Sequence, residues 1–154
     1  MRLSAGPALA TAVTMLVACG DSPTEVVFEV IEEVEFAASL GIDLADFTEL
    51  ASGVYIRDVE LGTGDAFEVG GEATVNYTGW LRTGAEFDSG QFPFPTGTGG
   101  RPIVGFELGL DGTTVGGTRL MIIPPELAYG AGGAGPIPPG AIVIFEVELV
   151  SLSN

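Results

Sequence analysis

The chain has no lysine and no histidine, and its single cysteine is Cys19. Without histidine there is no Ser-His-Asp triad, no Cys-His pair and no histidine-ligated metal. One cysteine excludes a disulfide within the chain. Positive charge is almost as scarce: five arginines stand against 21 acids, a net charge of −16 over 154 residues. Such a chain repels polyanions, so neither nucleic acid nor an anionic lipid surface is an expected partner. The acids are scattered and do not follow an EF-hand spacing, so no calcium loop is expected. Nothing here requires a metal or a cofactor.

Glycine and proline are abundant instead, 24 and 10 residues, beside an apolar fraction of 46%. That composition allows a packed core and favours turns and short strands over long helices. Gly130–Gly135 spell G-x-G-x-x-G. A dinucleotide site needs that pattern at the start of a helix within a βαβ unit. Here prolines follow, and only 19 residues remain. The glycines are therefore read as a loop.

The N-terminus opens with Met1 and Arg2, continues through the apolar stretch Ala8–Val17, and reaches Leu16-Val17-Ala18-Cys19-Gly20. The stretch is shorter than the ~20 residues that cross a bilayer, so it reads as an export signal. Leu-Val-Ala-Cys resembles a bacterial lipobox. That resemblance implies a lipoprotein signal peptide over 1–18, lipid on Cys19 and attachment to the membrane through it. Glycine after the cysteine implies the outer membrane.

Residues 20–51 hold nine acids and no base, and are expected to form an acidic spacer, extended or loosely ordered. Val26, Val27, Val30, Ile31 and Val34 recur at helical spacing, whereas β-branching and the Glu-Val-Glu-Phe alternation of 33–36 favour strand. Both readings stand. The apolar patch 36–47 reads as a short helix that packs on the domain or on a partner, and the segment as a whole as mainly a tether.

From residue 52 the pattern turns to short strands separated by glycine, forming one domain over 52–154. The clearest strands are 53–59, 73–77, 119–123 and 141–151, and 102–110 is the one place for a two-turn helix. Antiparallel strands around one short helix make an α+β fold.

Four motifs then appear in order: VNYTGWL (75–81), EFDSG (86–90), VGGTRLMIIPPELAYG (115–130) and PIPPGAIVIFEVELV (136–150). Together they resemble the FKBP family of peptidyl-prolyl isomerases. The resemblance implies a curved antiparallel sheet wrapped around a short helix, with an apolar pocket between them. It implies catalytic positions at Tyr77, Asp88, Tyr129 and Phe145. Substrate contacts would come from Phe87, Phe92, Ile103, Phe106 and Ile137, with Phe94 an alternative to Phe92. Asp88 is expected to be the acid inside the pocket, and Tyr129 to end a strand before a flap built on Gly130–Gly135. Ile103 would offer its backbone N–H, Phe106 the pocket floor and Phe145 a wall. Three positions depart from the family pattern. Phe106 stands for tryptophan, Asn76 for histidine, and the loop after Asp88 is short and lacks an arginine, for which Arg82 or Arg101 is the candidate substitute.

Such a pocket suits rotation about X–Pro bonds, whose barrier of ~18–20 kcal/mol comes from amide resonance. An apolar, water-poor site disfavours the planar, polar amide relative to the twisted one. The implied partners are proline-containing polypeptides, specifically exported ones, and macrolide inhibitors. The alternative function is a binding or chaperone module of the same fold with little or no turnover.

Overall fold

The computed structural model describes residues 25–97 and 103–153. The expected signal peptide over 1–18, Cys19 and Arg101 lie outside them. Six strands form one antiparallel sheet: β1 (Thr48–Glu49), β2 (Tyr55–Glu60), β3 (Glu72–Leu81), β4 (Glu86–Pro95), β5 (Thr118–Ile123) and β6 (Val143–Ser153), in the order β1-β2-β5-β6-β3-β4. One α-helix, α1 (Val104–Leu110), packs on the sheet. The expected α+β architecture is what is observed.

Side chains of β5 and β6 alternate between two apolar layers, as the two-residue period of a strand requires. Met121, Ile123, Val143, Phe145, Val147 and Leu149 join Phe106 and Leu110 of α1 in the main core. Leu120, Ile122, Ile142 and Ile144 belong to a second layer with Ile31 and Tyr55. Both faces of these central strands are therefore covered.

Two glycines allow the helix to lie close. A Cβ on Gly105 would collide with Ile123, and one on Gly109 with the Met121 sulfur. Buried Arg119 fixes the helix C-terminus. Its Nη1 donates to the carbonyls of Gly109 and Asp111 at 2.9 and 2.8 Å, while its Nε pairs with Asp58 at 2.6 Å. The guanidinium thus satisfies carbonyls that a helix end leaves unpaired.

The segment after Asp88 is not a short loop. It continues as β4 to Pro95, paired with β3 from Trp80↔Glu86 to Glu72↔Pro95. Prolines at 93 and 95 disguise it, yet β4 is an edge strand, where a missing N–H need not break a ladder. Phe92 and Phe94 alternate with exposed residues, as a half-buried strand should.

The acidic segment also differs from a loose tether. Residues 25–47 run as a strap over the second layer with three single 3-10 turns, Ile31–Glu33, Ala38–Leu40 and Leu44–Asp46. The apolar patch 36–47 thus forms two such turns and no α-helix. Ile31 is buried in the second layer, and Val34, Phe36, Leu40, Ile42, Leu44 and Phe47 pack, with Trp80, against that layer. The strap is sewn on by Ala37 N–H to the Arg82 carbonyl at 2.8 Å and by the Tyr55 hydroxyl, which donates to Glu32. Among the described residues no helix is long and apolar enough to cross a membrane.

Candidate active site

The aromatic residues singled out by sequence meet on the helix side of the sheet. Phe106 on α1 is 1% exposed and meets Phe145 of β6 edge-to-face, centroids 5.2 Å apart at 86°. Phe87 packs on Phe145 in the same manner at 5.5 Å and 89°, and reaches Tyr129 at 6.5 Å. Tyr77 lies 6.3 Å from Phe145 and sits T-shaped to Phe92 at 5.2 Å. Edge-to-face pairs place the positive ring edge on the negative face, a preferred geometry for aromatics. Phe92 takes the half-buried place beside Tyr77, while Phe94 lies one layer deeper between Phe67 and Phe106.

Buried Ile103 and Ile137 belong to the same cluster. Ile103 is extended, at φ −149°, and its carbonyl receives the Phe106 N–H at 3.1 Å to begin α1. Ile137 is held by paired bonds with Ala134, 2.8 and 3.0 Å.

Three expectations need correction. Asp88 is exposed on edge strand β4, at the rim of the aromatic cluster and not inside it; its carboxylate accepts the Tyr77 hydroxyl at 2.7 Å. An edge strand leaves one side of the chain open to water, so this carboxylate stays solvated. Arg82 does not pair with Asp88; it pairs with Glu29 at 2.5 Å. Tyr129 does not end a strand. Strand β5 stops at Ile123, and a 3-10 turn at Pro125–Leu127 comes between them. The turn begins with Pro124-Pro125, and neither proline has an N–H to extend the ladder.

Gly130, Gly133 and Gly135 all take positive φ, a conformation with little steric cost only for glycine. At Gly133 a Cβ would strike the Ile137 carbonyl, so the loop and its rim residue are built together. Asn76 faces away from the rings: it donates to Glu148 at 2.7 Å and accepts from Gln91 at 2.8 Å.

Sequence reading missed Gly79. A Cβ there would lie 2.6 Å from the Phe87 ring and 2.8 Å from that of Phe145. The missing side chain on β3 lets these rings meet. Its signal was its place in VNYTGWL, two residues after a pocket tyrosine on the same strand face.

Burial pushes the Tyr77 hydroxyl up to about 12, aided by its bond to Asp88. The Tyr129 hydroxyl is also raised, first by burial and then by the nearby Asp88 charge. Both remain neutral donors at ordinary pH, and the sequence contains no histidine or lysine. Activity is therefore expected to stay flat from about pH 7 to about pH 9.5. Because the folded-state value of Tyr77 exceeds its ordinary one, its stabilisation is fully present below pH ~10 and is lost as pH rises toward about 12. A pH series of kcat/KM and of Tm checks both; an ionisation in kcat/KM between pH 7 and 9 would contradict the assignment.

Buried rings under half-buried ones, with hydroxyls and one carboxylate at the rim, make a site for gripping a compact apolar group beside a polar backbone. Similarity to known proteins defines the family. The family profile described as FKBP-type peptidyl-prolyl cis-trans isomerase matches residues 64–150. An FK506-binding protein of Neisseria meningitidis serogroup B is 45% identical over 105 residues, covering 65% of this chain and 96% of that protein. Peptidyl-prolyl cis-trans isomerase FKBP16-4, chloroplastic, of Arabidopsis thaliana is 36% identical over 121 residues, 71% of this chain and 53% of that protein. Among solved structures, FkpA from Escherichia coli superposes with a TM-score of 0.64 at 32% identity, covering 75% of this chain and 55% of that one. The chain belongs to the FKBP-type family and is a peptidyl-prolyl cis-trans isomerase.

Proposed function

We propose that the aromatic cluster binds the proline ring of an X–Pro segment and accelerates its cis-trans exchange by taking the amide out of water. One observation carries this reading: Phe87 and Phe106 meet Phe145 edge-to-face and Tyr77 meets it at a tilt, one apolar cluster with the Tyr77–Asp88 pair at its rim. A proline ring seated among the half-buried rings of Tyr77, Phe87 and Phe92, over buried Phe106 and Phe145, places the preceding amide among rings that cannot solvate its dipole. Twisting the bond abolishes resonance and lowers that dipole, so the surroundings favour the twisted form over the planar one. The Tyr129 hydroxyl and the Ile103 N–H supply donors to substrate carbonyls, and the Tyr77–Asp88 pair braces the wall. No covalent intermediate is involved. Exchange without catalysis takes tens to hundreds of seconds, so even a moderate barrier reduction matters to a folding chain.

The test is an NMR exchange or protease-coupled assay on a Phe-Pro peptide, comparing wild type with Asp88→Ala and Tyr129→Phe. Both variants are expected to fold normally and to lose activity, by roughly tenfold for one lost hydrogen bond. Peptide binding without turnover by the wild type would establish the chaperone-module alternative instead. A macrolide that fills the same aromatic surface should compete with the peptide; the N. meningitidis relative is named for such a ligand.

The clients we propose are exported proteins, met at the cell envelope through lipid on Cys19, with the outer membrane favoured by Gly20. Leu16-Val17-Ala18-Cys19 after an apolar stretch supports this, and multiple acyl chains would make the anchor stable. Labelling with a radioactive fatty acid should mark the wild type and leave Cys19→Ser unlabelled. Soluble, unlabelled wild-type protein would remove the anchor from this picture.

A further inference from the structure

The N-terminal end of the strap is held by polar bonds more than by burial. Val27 is 78% exposed and Phe28 36%, yet between Phe28 and Val30 the chain is pinned at one node. The Glu29 N–H donates to the Gly140 carbonyl at 2.8 Å. Its carboxylate accepts the Ile142 N–H at 2.9 Å through Oε2 and pairs with Arg82 Nε at 2.5 Å through Oε1. One residue of the strap thus grips both neighbours of Ala141 and the β3–β4 turn.

What Glu29 grips is the base of the loop over the aromatic site. The Gly140 N–H donates to the Gly130 carbonyl at 2.9 Å, closing the loop that starts at Tyr129 and carries Ile137. Gly140 has φ +72°, and a Cβ there would strike the Val27 carbonyl, so strap and loop base are fitted to each other. The connection runs Glu29–Gly140–Gly130 and ends one peptide bond from Tyr129.

We propose that Glu29 is a positioning residue for the rim loop: by fixing the Gly140–Ile142 corner it sets where Tyr129 and Ile137 stand over the aromatic site. The strap that leads toward the N-terminus is thereby coupled to substrate binding. The carboxylate suits this role because it receives two donors from two elements at once, and charge-assisted bonds are the stronger kind. The proposal rests on the reading of the aromatic cluster as the catalytic site.

The test uses the full chain and compares Glu29→Ala, Glu29→Gln, Ile31→Ala and Phe145→Ala below all their melting temperatures. Glu29→Ala should raise KM roughly five- to tenfold with kcat changed much less, since a displaced loop weakens the grip on substrate more than the twist itself. It should also speed amide hydrogen exchange at Gly140 and Ile142, a readout independent of turnover. Glu29→Gln keeps an acceptor for the Ile142 N–H and should stay within about threefold of wild type. Ile31→Ala loosens the strap elsewhere and should leave KM unchanged. Should Glu29→Ala fail to fold, Arg82→Gln removes one arm of the node and is expected to move KM and the two amides in the same direction. Wild-type KM and unchanged exchange in folded Glu29→Ala and Arg82→Gln would overturn the proposal, as would an equal rise of KM in Ile31→Ala. Full activity of Phe145→Ala would instead defeat the site reading on which it stands.

Discussion

Replacing Phe145 with alanine is expected to lower kcat/KM on an X–Pro peptide by about two orders of magnitude and to cost ~3–5 kcal/mol of stability. No other ring in the site meets Phe87, Phe106 and Tyr77 together, at centroid distances of 5.5, 5.2 and 6.3 Å. It sits on β6 between Gly79 of β3 and Met121 of β5, in the middle of the sheet, and is 4% exposed. Truncation therefore leaves a cavity that its neighbours cannot fill without moving strands. Phe87 and Phe106 lose the partner that orients them, and water enters where the amide must be dry. Stability and turnover are separable by measuring urea unfolding first and then rates under conditions where the variant is fully folded. Normal turnover in a well-folded Phe145→Ala protein would refute the proposed site.

Removing the strap, so that the chain begins at Thr48, is expected to give a destabilised and aggregating protein. The sequence suggested the opposite, a domain that folds and acts without an acidic spacer holding no expected pocket residue. The strap covers Leu120, Ile122, Ile142 and Ile144 on the outer face of the sheet. Without it a contiguous apolar patch is exposed, the kind that marks an interaction or aggregation surface. The net loss is smaller than the packing lost, because a free strap regains ~1–2 kcal/mol of backbone entropy per residue. Ile31→Ala isolates the packing contribution: the side chain is 3% exposed, and its loss should cost ~2–4 kcal/mol. That is a large share of the roughly 5–15 kcal/mol that holds a typical domain together. The Tyr55 bond holds the Glu32 carboxyl below its usual range. Its contribution is therefore present above the ordinary carboxylate value and fades as pH falls through the lowered one. Urea midpoints and light scattering decide the matter. A monomeric truncated chain with the Tm of the full protein would show that the strap is dispensable.

Local signals carried the reading furthest where they were strong. Alternation in Phe-Glu-Val-Glu-Leu marked β6, and glycine with proline marked the turns around Tyr129. The same signals misled at β4, because proline reads as a loop breaker unless the strand is known to be an edge. Edge position is a property of the assembled sheet. The uninterrupted apolar runs Leu120–Ile123 and Ala141–Phe145 fit strands covered on both faces, since a strand with one wet face alternates, but the sequence alone reads the last strand as half-buried. Nor do the runs say what covers them.

The order of aromatic residues, the glycines that mark turns and the absence of histidine and lysine were determined by the sequence alone. The fold and the reaction class were implied by the resemblance of four ordered motifs to the FKBP family. Only the tertiary structure decided that Asp88 stays in water at the rim, that Arg82 turns to Glu29 and that Gly79 is the gap through which two rings meet. It also decided that an acidic stretch with strap-like contacts is part of the domain. The physical reason is common to all four. Each depends on which surfaces face each other after the chain has closed, and contacts made across strands or between distant segments leave little trace in local periodicity or composition.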